Sequence, residues 1–171
     1  IALSRRIVEG DRLMHDKGFD GWAPLFFLGH ELKGKTLGII GMGQIGQALA
    51  QMMNAFGMNI LYNQRHPSPS ELEEKLQAAY VSQEEVFQQA DVLTLHAPLT
   101  EDTRHLVTSE TFKQMKDSAF LINAARGPLV DEEALLQALK DKQIAGAALD
   151  VYEFEPKVTE GLKELSNVIL T

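Results

Sequence analysis

The chain has 171 residues, 44% of them apolar, a net charge of −8 and no cysteine. That length and apolar share suit one domain with a real core and exclude disorder, collagen and a bare coiled coil. The acidic balance argues against a general nucleic-acid surface, and the lack of cysteine removes disulfides, thiolate metal sites and cysteine nucleophiles. No apolar run approaches the roughly 18 residues of a membrane span and no signal peptide is visible. The expectations are no nucleic acid, no membrane, no metal and, by elimination, a cytoplasmic protein.

In chain order, Leu3, Ile7, Val8 and Met14 repeat at helical spacing from the outset. Thr171 follows directly on the apolar run Asn167–Leu170, so a piece cut from a longer protein is expected. The polar, Gly-rich passage Lys17 to Asp20 and the turn-forming Gly21-Trp22-Ala23-Pro24 lead into Leu25-Phe26-Phe27-Leu28. This apolar stretch lies outside any strand and needs a cover, either its own domain or a second copy of the chain. Strands are predicted at Thr36–Ile40, Asn59–Tyr62, Ala78–Val81, Asp91–His96, Ala119–Asn123, Ala145–Val151 and Asn167–Leu170. Helices are predicted between them at Gln44–Phe56, Ser70–Leu76, Gln83–Gln89, Ser109–Met115, Asp131–Lys140 and, weakly, Thr159–Leu165. Ser82, three residues before Glu85, reads as a capping box, and Ser109 before Phe112 as a plainer cap. The cluster Glu71, Glu73, Glu74 reads as a solvated helix face. Strands apolar on both faces and separated by helices specify an α/β, Rossmann-type, doubly wound parallel sheet of about seven strands.

Between the first strand and the first of those helices stands Gly41-Met42-Gly43-Gln44-Ile45-Gly46. In that context Gly41 permits a tight turn, Gly43 lets backbone touch a pyrophosphate, and Gly46 lets helix and sheet approach. Free amides at the start of the helix, at Gln44 and Ile45, then face the anion with the helix dipole. The competing reading is a glycine-rich turn with no ligand. At the end of the second strand, where an NAD-binding unit places a carboxylate for the ribose 2′-hydroxyl, this chain has Asn63-Gln64-Arg65-His66. Arg65 can pair with a 2′-phosphate and Asn63 can donate to it, which favours NADP(H), with NAD(H) as the alternative. Read more plainly, Arg65 is an exposed surface cation.

Four motifs in order carry a resemblance. They are Gly34-Lys35-Thr36-Leu37-Gly38-Ile39-Ile40 running into Gly41–Gly46; Leu95-His96-Ala97-Pro98-Leu99-Thr100 with Thr103; Leu121-Ile122-Asn123-Ala124-Ala125-Arg126-Gly127; and Gly146 through Asp150-Val151-Tyr152-Glu153-Phe154-Glu155-Pro156. Together they resemble the cofactor domain of D-isomer-specific 2-hydroxyacid dehydrogenases; within that family, Asn63 to Arg65 and the Trp22 segment resemble most the NADPH-dependent glyoxylate and hydroxypyruvate reductases. The resemblance implies a single domain excised from a two-domain enzyme. Residues 1–33 form a linking helix and interface arm, residues 34–171 the dinucleotide-binding domain, and the substrate domain is absent from this chain.

By the same resemblance, Arg126 binds the substrate carboxylate and polarises its carbonyl, and Glu155 hydrogen-bonds the catalytic histidine and raises its pKa. Asp150 holds the nicotinamide amide, Pro98 and Thr103 line the pyrophosphate and ribose, Ala124 offers backbone near the ring, and Gln64, His96, Ala97 and Ala125 complete the cofactor lining. The family's histidine falls beyond Thr171, and none of the five histidines here takes its place, His96 reading as a pocket-lining residue. The expected reaction of the parent is hydride transfer between NAD(P)H and a 2-keto or 2-hydroxy acid, in a homodimer joined through this domain, with the piece alone inactive. Phosphoglycerate dehydrogenase, a corepressor-like dinucleotide sensor and an α/β unit of another class are the alternatives.

Overall fold

The computed structural model describes residues 1–171. Seven short apolar runs become strands: β1 Thr36–Ile40, β2 Asn59–Asn63, β3 Ala78–Tyr80, β4 Val92–Leu95, β5 Phe120–Asn123, β6 Gly146–Leu149 and β7 Val168–Leu170. The helices are α1 Ile7–Asp16, α2 Gln44–Ala55, α3 Ser70–Leu76, α4 Gln83–Gln89, α5 Ser109–Gln114 and α6 Glu132–Lys140. All pairings are parallel and the spatial order is β3-β2-β1-β4-β5-β6-β7. The chain winds outward from β1 to β3, then returns through α4 to lay β4 on the other side of β1. The sheet therefore reverses between β1 and β4, and in open α/β sheets a ligand crevice forms at the strand ends beside such a reversal.

Apolar burial explains why both faces are covered. One core gathers Leu37, Ile39, Ala50, Met58, Ile60 and Tyr62 around β1 and β2 under α2. A larger one gathers Leu93, Leu95, Phe112, Leu121, Leu135, Leu139, Ala147 and Leu149 around β4, β5 and β6 under α5 and α6. Each Leu or Phe fully removed from water stabilises the fold by about 1.5–3 kcal/mol before entropy is charged. Below the sheet, Asp91 Oδ2 accepts the Thr36 N–H at 2.8 Å and its Oδ1 pairs with Lys116 Nζ at 3.0 Å, tying the approach to β4 to the start of β1.

Three local expectations change. The pattern beginning at Leu3 is helical only from Ile7, because Arg6 sits at φ 55 and breaks the ladder after a turn over residues 2–6. The cap of α5 is Thr108 rather than Ser109; the Thr108 N–H donates to Thr111 Oγ1 at 3.2 Å. Thr159–Leu165 shrinks to a single 3₁₀ turn, Leu162–Glu164, entered from left-handed Gly161. The capping box of α4 stands as expected: Glu85 N–H donates to Ser82 Oγ at 3.2 Å and Ser82 N–H to Glu85 Oε2 at 2.9 Å.

Candidate functional site

The site candidates lie at the carboxyl ends of β2, β1, β4, β5 and β6, which are consecutive neighbours in the sheet. Four spacings of about 4.8 Å separate the outer two, so the row is about 19 Å long.

At β1 the backbone leaves the strand through Gly41, whose φ of 101 is open only to glycine, and its N–H donates to Asn63 O at 2.9 Å. A Cβ on Gly46 would lie 2.4 Å from Gly41 O, so the first turn of α2 rests directly on the loop it leaves. Gly43 precedes α2, and a Cβ there would meet nothing within 4 Å. Its neighbours Gln44 and Ile45 are exposed, and the first turn of α2 holds no acidic residue. The first amides of a helix have no partner within it, and the positive end of the helix dipole stands at this exposed turn. Met42 is buried and pinned: its N–H donates to Gln64 Oε1 at 3.1 Å and its carbonyl accepts from Gln47 Nε2 at 3.0 Å.

At the end of β2, Asn63 Nδ2 donates to Val81 O at 2.7 Å, which directs that amide toward the end of β3. Gln64 is engaged at both ends, to Met42 and through Nε2 to Ser68 Oγ at 3.2 Å, while Tyr80 Oη donates to its carbonyl at 3.2 Å. Arg65 and His66 project from this braced loop, exposed, and Arg65 makes no ion pair. The loop lacks a carboxylate from Asn63 to Pro69. Its free charge is the positive guanidinium.

At the end of β4, His96 lies half-buried with Nε2 3.1 Å from Thr94 Oγ1, and burial pushes its pKa below the ordinary 6.5. It is a neutral, partnered ring at neutral pH. Ala97 and Pro98 continue into a loop folded around Thr103, whose Oγ1 donates to Pro98 O at 2.7 Å and accepts from the Thr100 N–H at 2.8 Å.

At the end of β5, Asn123 is buried, with Nδ2 donating to Arg126 O at 3.0 Å and Oδ1 accepting from the Ala125 N–H at 3.2 Å. That pair shapes the turn that turns Ala124 and Arg126 outward. Arg126 bonds only its neighbour's carbonyl, Nη1 to Ala125 O at 2.7 Å, so most of its fork is free. Immediately after it, a Cβ on Gly127 would fall 1.8 Å from Tyr152 O, so this loop and the one beyond β6 cross backbone to backbone. The crossing sets Arg126 and Glu155 in the lining of one open depression of about 580 Å³. Glu155 Oε1 accepts the Tyr152 N–H at 3.1 Å, and Asp150, exposed at the end of β6, accepts from Thr171 Oγ1 at 3.0 Å.

Glycine turn, Arg65 loop, His96–Thr103 loop, Arg126 and Asp150–Glu155 thus stand along one edge formed by the ends of β2, β1, β4, β5 and β6. Arg65 and Glu155 lie at opposite ends of it. Sequence reasoning missed Asn123, whose only signal is a polar residue closing an apolar strand, and a group formed by buried Glu132 with Glu153 and His105. No group of acidic and histidine residues is arranged to hold a metal ion, and no helix is long and apolar enough to cross a membrane.

Residues 1–171 match the family model described as D-isomer specific 2-hydroxyacid dehydrogenase, NAD binding domain. A Staphylococcus haemolyticus protein named as an unconfirmed 2-hydroxyacid dehydrogenase is 56% identical over all of this chain and 54% of its own length. The TT0316 protein of Thermus thermophilus superposes with a TM-score of 0.92 at 43% identity, covering 99% of this chain and 53% of that one. A glyoxylate reductase from Paecilomyes thermophila gives 0.89 at 40% identity, over 99% and 50%. The chain spans about half the length of the curated relatives it matches.

Proposed function

The chain belongs to the D-isomer specific 2-hydroxyacid dehydrogenases as their NAD-binding domain, and from that premise we propose that it serves a longer enzyme reducing a small 2-keto acid with NADPH. The observation that carries this reading is the single row of strand ends, with a dinucleotide-type turn near one end and Arg126 and Glu155 sharing a depression at the other. Amides at Gly43, Gln44 and Ile45 hold the pyrophosphate, and the Arg65 guanidinium pairs with the 2′-phosphate. NADP(H) is favoured over NAD(H) because a carboxylate is lacking where it would repel that phosphate.

Bound along this edge, the dinucleotide supplies a hydride. Asp150 holds the amide of its reactive ring, Ala124 offers backbone beside that ring, Pro98 and Thr103 line the pyrophosphate and the nicotinamide ribose, and Ala97 and Ala125 complete the lining. The free fork of Arg126 grips the carboxylate of the substrate in two places and draws electron density from the neighbouring carbonyl, which makes its carbon a better hydride acceptor. Glu155 steadies the protonated form of a histidine contributed by the longer protein, so that a proton reaches the developing alkoxide. His96 and His105 are engaged elsewhere and do not take that part.

Glyoxylate and hydroxypyruvate are the proposed substrates, both small enough to need little beyond the arginine fork. The protein works as a homodimer in the cytoplasm, joined through the cofactor domain with the helix and arm of residues 1–33 at the interface. The test is NADPH consumption by the full-length protein with glyoxylate, hydroxypyruvate and phosphohydroxypyruvate. Turnover with either of the first two is expected. Preference for the third would make it a phosphoglycerate dehydrogenase, and tight cofactor binding without turnover would make it a sensor.

A further inference from the structure

Against the depression, which Glu153 helps to line, lies a polar group that the proposed chemistry does not use. Glu132, 1% exposed, opens α6 and accepts three hydrogen bonds: from the Glu153 N–H at 2.6 Å, the Thr159 N–H at 3.3 Å and Thr159 Oγ1 at 2.6 Å. Glu153 reciprocates, its Oε2 accepting the Glu132 N–H at 3.1 Å. Its other oxygen, Oε1, lies 2.5 Å from His105 Nε2. His105 is itself fixed, in the left-handed region at φ 49, with its N–H donating to Pro128 O at 2.8 Å.

Two carboxylates are thus locked into each other's backbone at the start of a helix, where the dipole favours negative charge, and one of them is closed off by an imidazole. A buried carboxylate is costly unless its lone pairs are met. Here they are, and no buried side-chain polar atom in the chain lacks a partner. Breaking one member would leave the next unsatisfied, so the group behaves as a unit.

Its placement gives it a consequence. It joins three segments, one following the Thr103 loop, one following Arg126, and one that reaches Glu155 two residues after Glu153. The Glu155 side chain accepts one hydrogen bond, from the N–H of Tyr152, the residue adjoining Glu153. The turn that carries Glu155, closed by the Lys157 N–H donating to Phe154 O at 2.9 Å, thus starts directly after Glu153, the residue that the anchor holds.

We propose that His105, through Glu153 and Glu132, is a positioning residue that fixes Glu155 for its work on the reacting histidine. The proposal rests on the reading of Glu155 given above. In the full-length protein, His105→Leu removes the partner of Glu153 at similar bulk, and His105→Gln restores a side-chain N–H. His105→Leu is expected to lower kcat about tenfold while KM for the keto acid and Kd for NADPH stay within about twofold, and His105→Gln recovers most of the loss. In a Glu155→Gln background the His105→Leu loss should disappear, because residues acting through one group are not additive. An unchanged kcat, or a His105→Leu loss equally large with and without Glu155, overturns the proposal even if Glu155→Gln and Arg126→Ala are themselves impaired. Full activity of Glu155→Gln and Arg126→Ala would instead overturn the reading of the site on which it stands.

Discussion

At the scale of single residues, the chemistry is concentrated in side chains left free after the fold has met its own hydrogen bonds. Arg65 is exposed and unpaired, whereas its neighbours Asn63 and Gln64 are spent on bracing the loop. Arg65→Asp in the full-length protein is therefore expected to weaken NADPH about 10–100-fold, the worth of one charge-assisted contact of roughly 1.5–3 kcal/mol, and NADH much less. A titration of both cofactors reads this, and equal losses would remove the 2′-phosphate assignment. The glycine turn was legible from its place between a strand and a helix, and Arg126 and Asp150 as charges closing apolar runs, whereas Glu155 before Pro156 is ordinary loop text that only the family resemblance singles out. The division of labour at Asn63-Gln64-Arg65 was not, since nothing in three consecutive polar residues says which one turns inward. Likewise Glu132 reads as an ordinary first-turn acid of a helix, and only packing reveals that it is buried.

Elements were legible where hydrophobic periodicity and a stop signal coincided. β1, α3 and α4 stand at their expected bounds, whereas α1 and Thr159–Leu165 lost residues at left-handed Arg6 and Gly161. The join between β1 and β4 shows how one side chain ties elements far apart in sequence. Burial pushes the Asp91 carboxyl up, but the Thr36 N–H and the Lys116 ammonium outweigh it and hold it below the ordinary 3.8. Because the folded value is the lower one, this stabilisation is present above pH 3.8 and fades as pH falls through the folded value. Asp91→Asn is expected to lose stability at neutral pH and to flatten the acid limb of a denaturation series run from pH 5 downward. An acid limb identical to wild type would show that Asp91 contributes nothing to it.

For the whole molecule, parallel strands separated by helices specify a doubly wound sheet, and the order β3-β2-β1-β4-β5-β6-β7 carries one reversal, between β1 and β4. What periodicity left open was the arm, whose packing depends on a surface outside the sheet. Trp22 is 90% exposed and Leu25 79%, beside exposed Phe26 and Leu28. So much contiguous apolar surface supports a second copy as its cover. The double variant Trp22→Glu, Leu25→Glu of the full-length protein is expected to run as a monomer in light scattering where wild type runs as a dimer; wild-type monomers at high concentration would end the dimer proposal.

In the proposed arrangement one row of strand ends carries the whole dinucleotide, adenine end at β2 and reactive end toward β6. A crystal structure of the full-length protein with NADPH measures this most directly. The 2′-phosphate is expected against Arg65, the pyrophosphate over the amides of Gly43 to Ile45, and the nicotinamide between Ala97 and Asp150, facing the depression of Arg126 and Glu155. A cofactor lying in the reverse direction, or bound away from this edge, would contradict it.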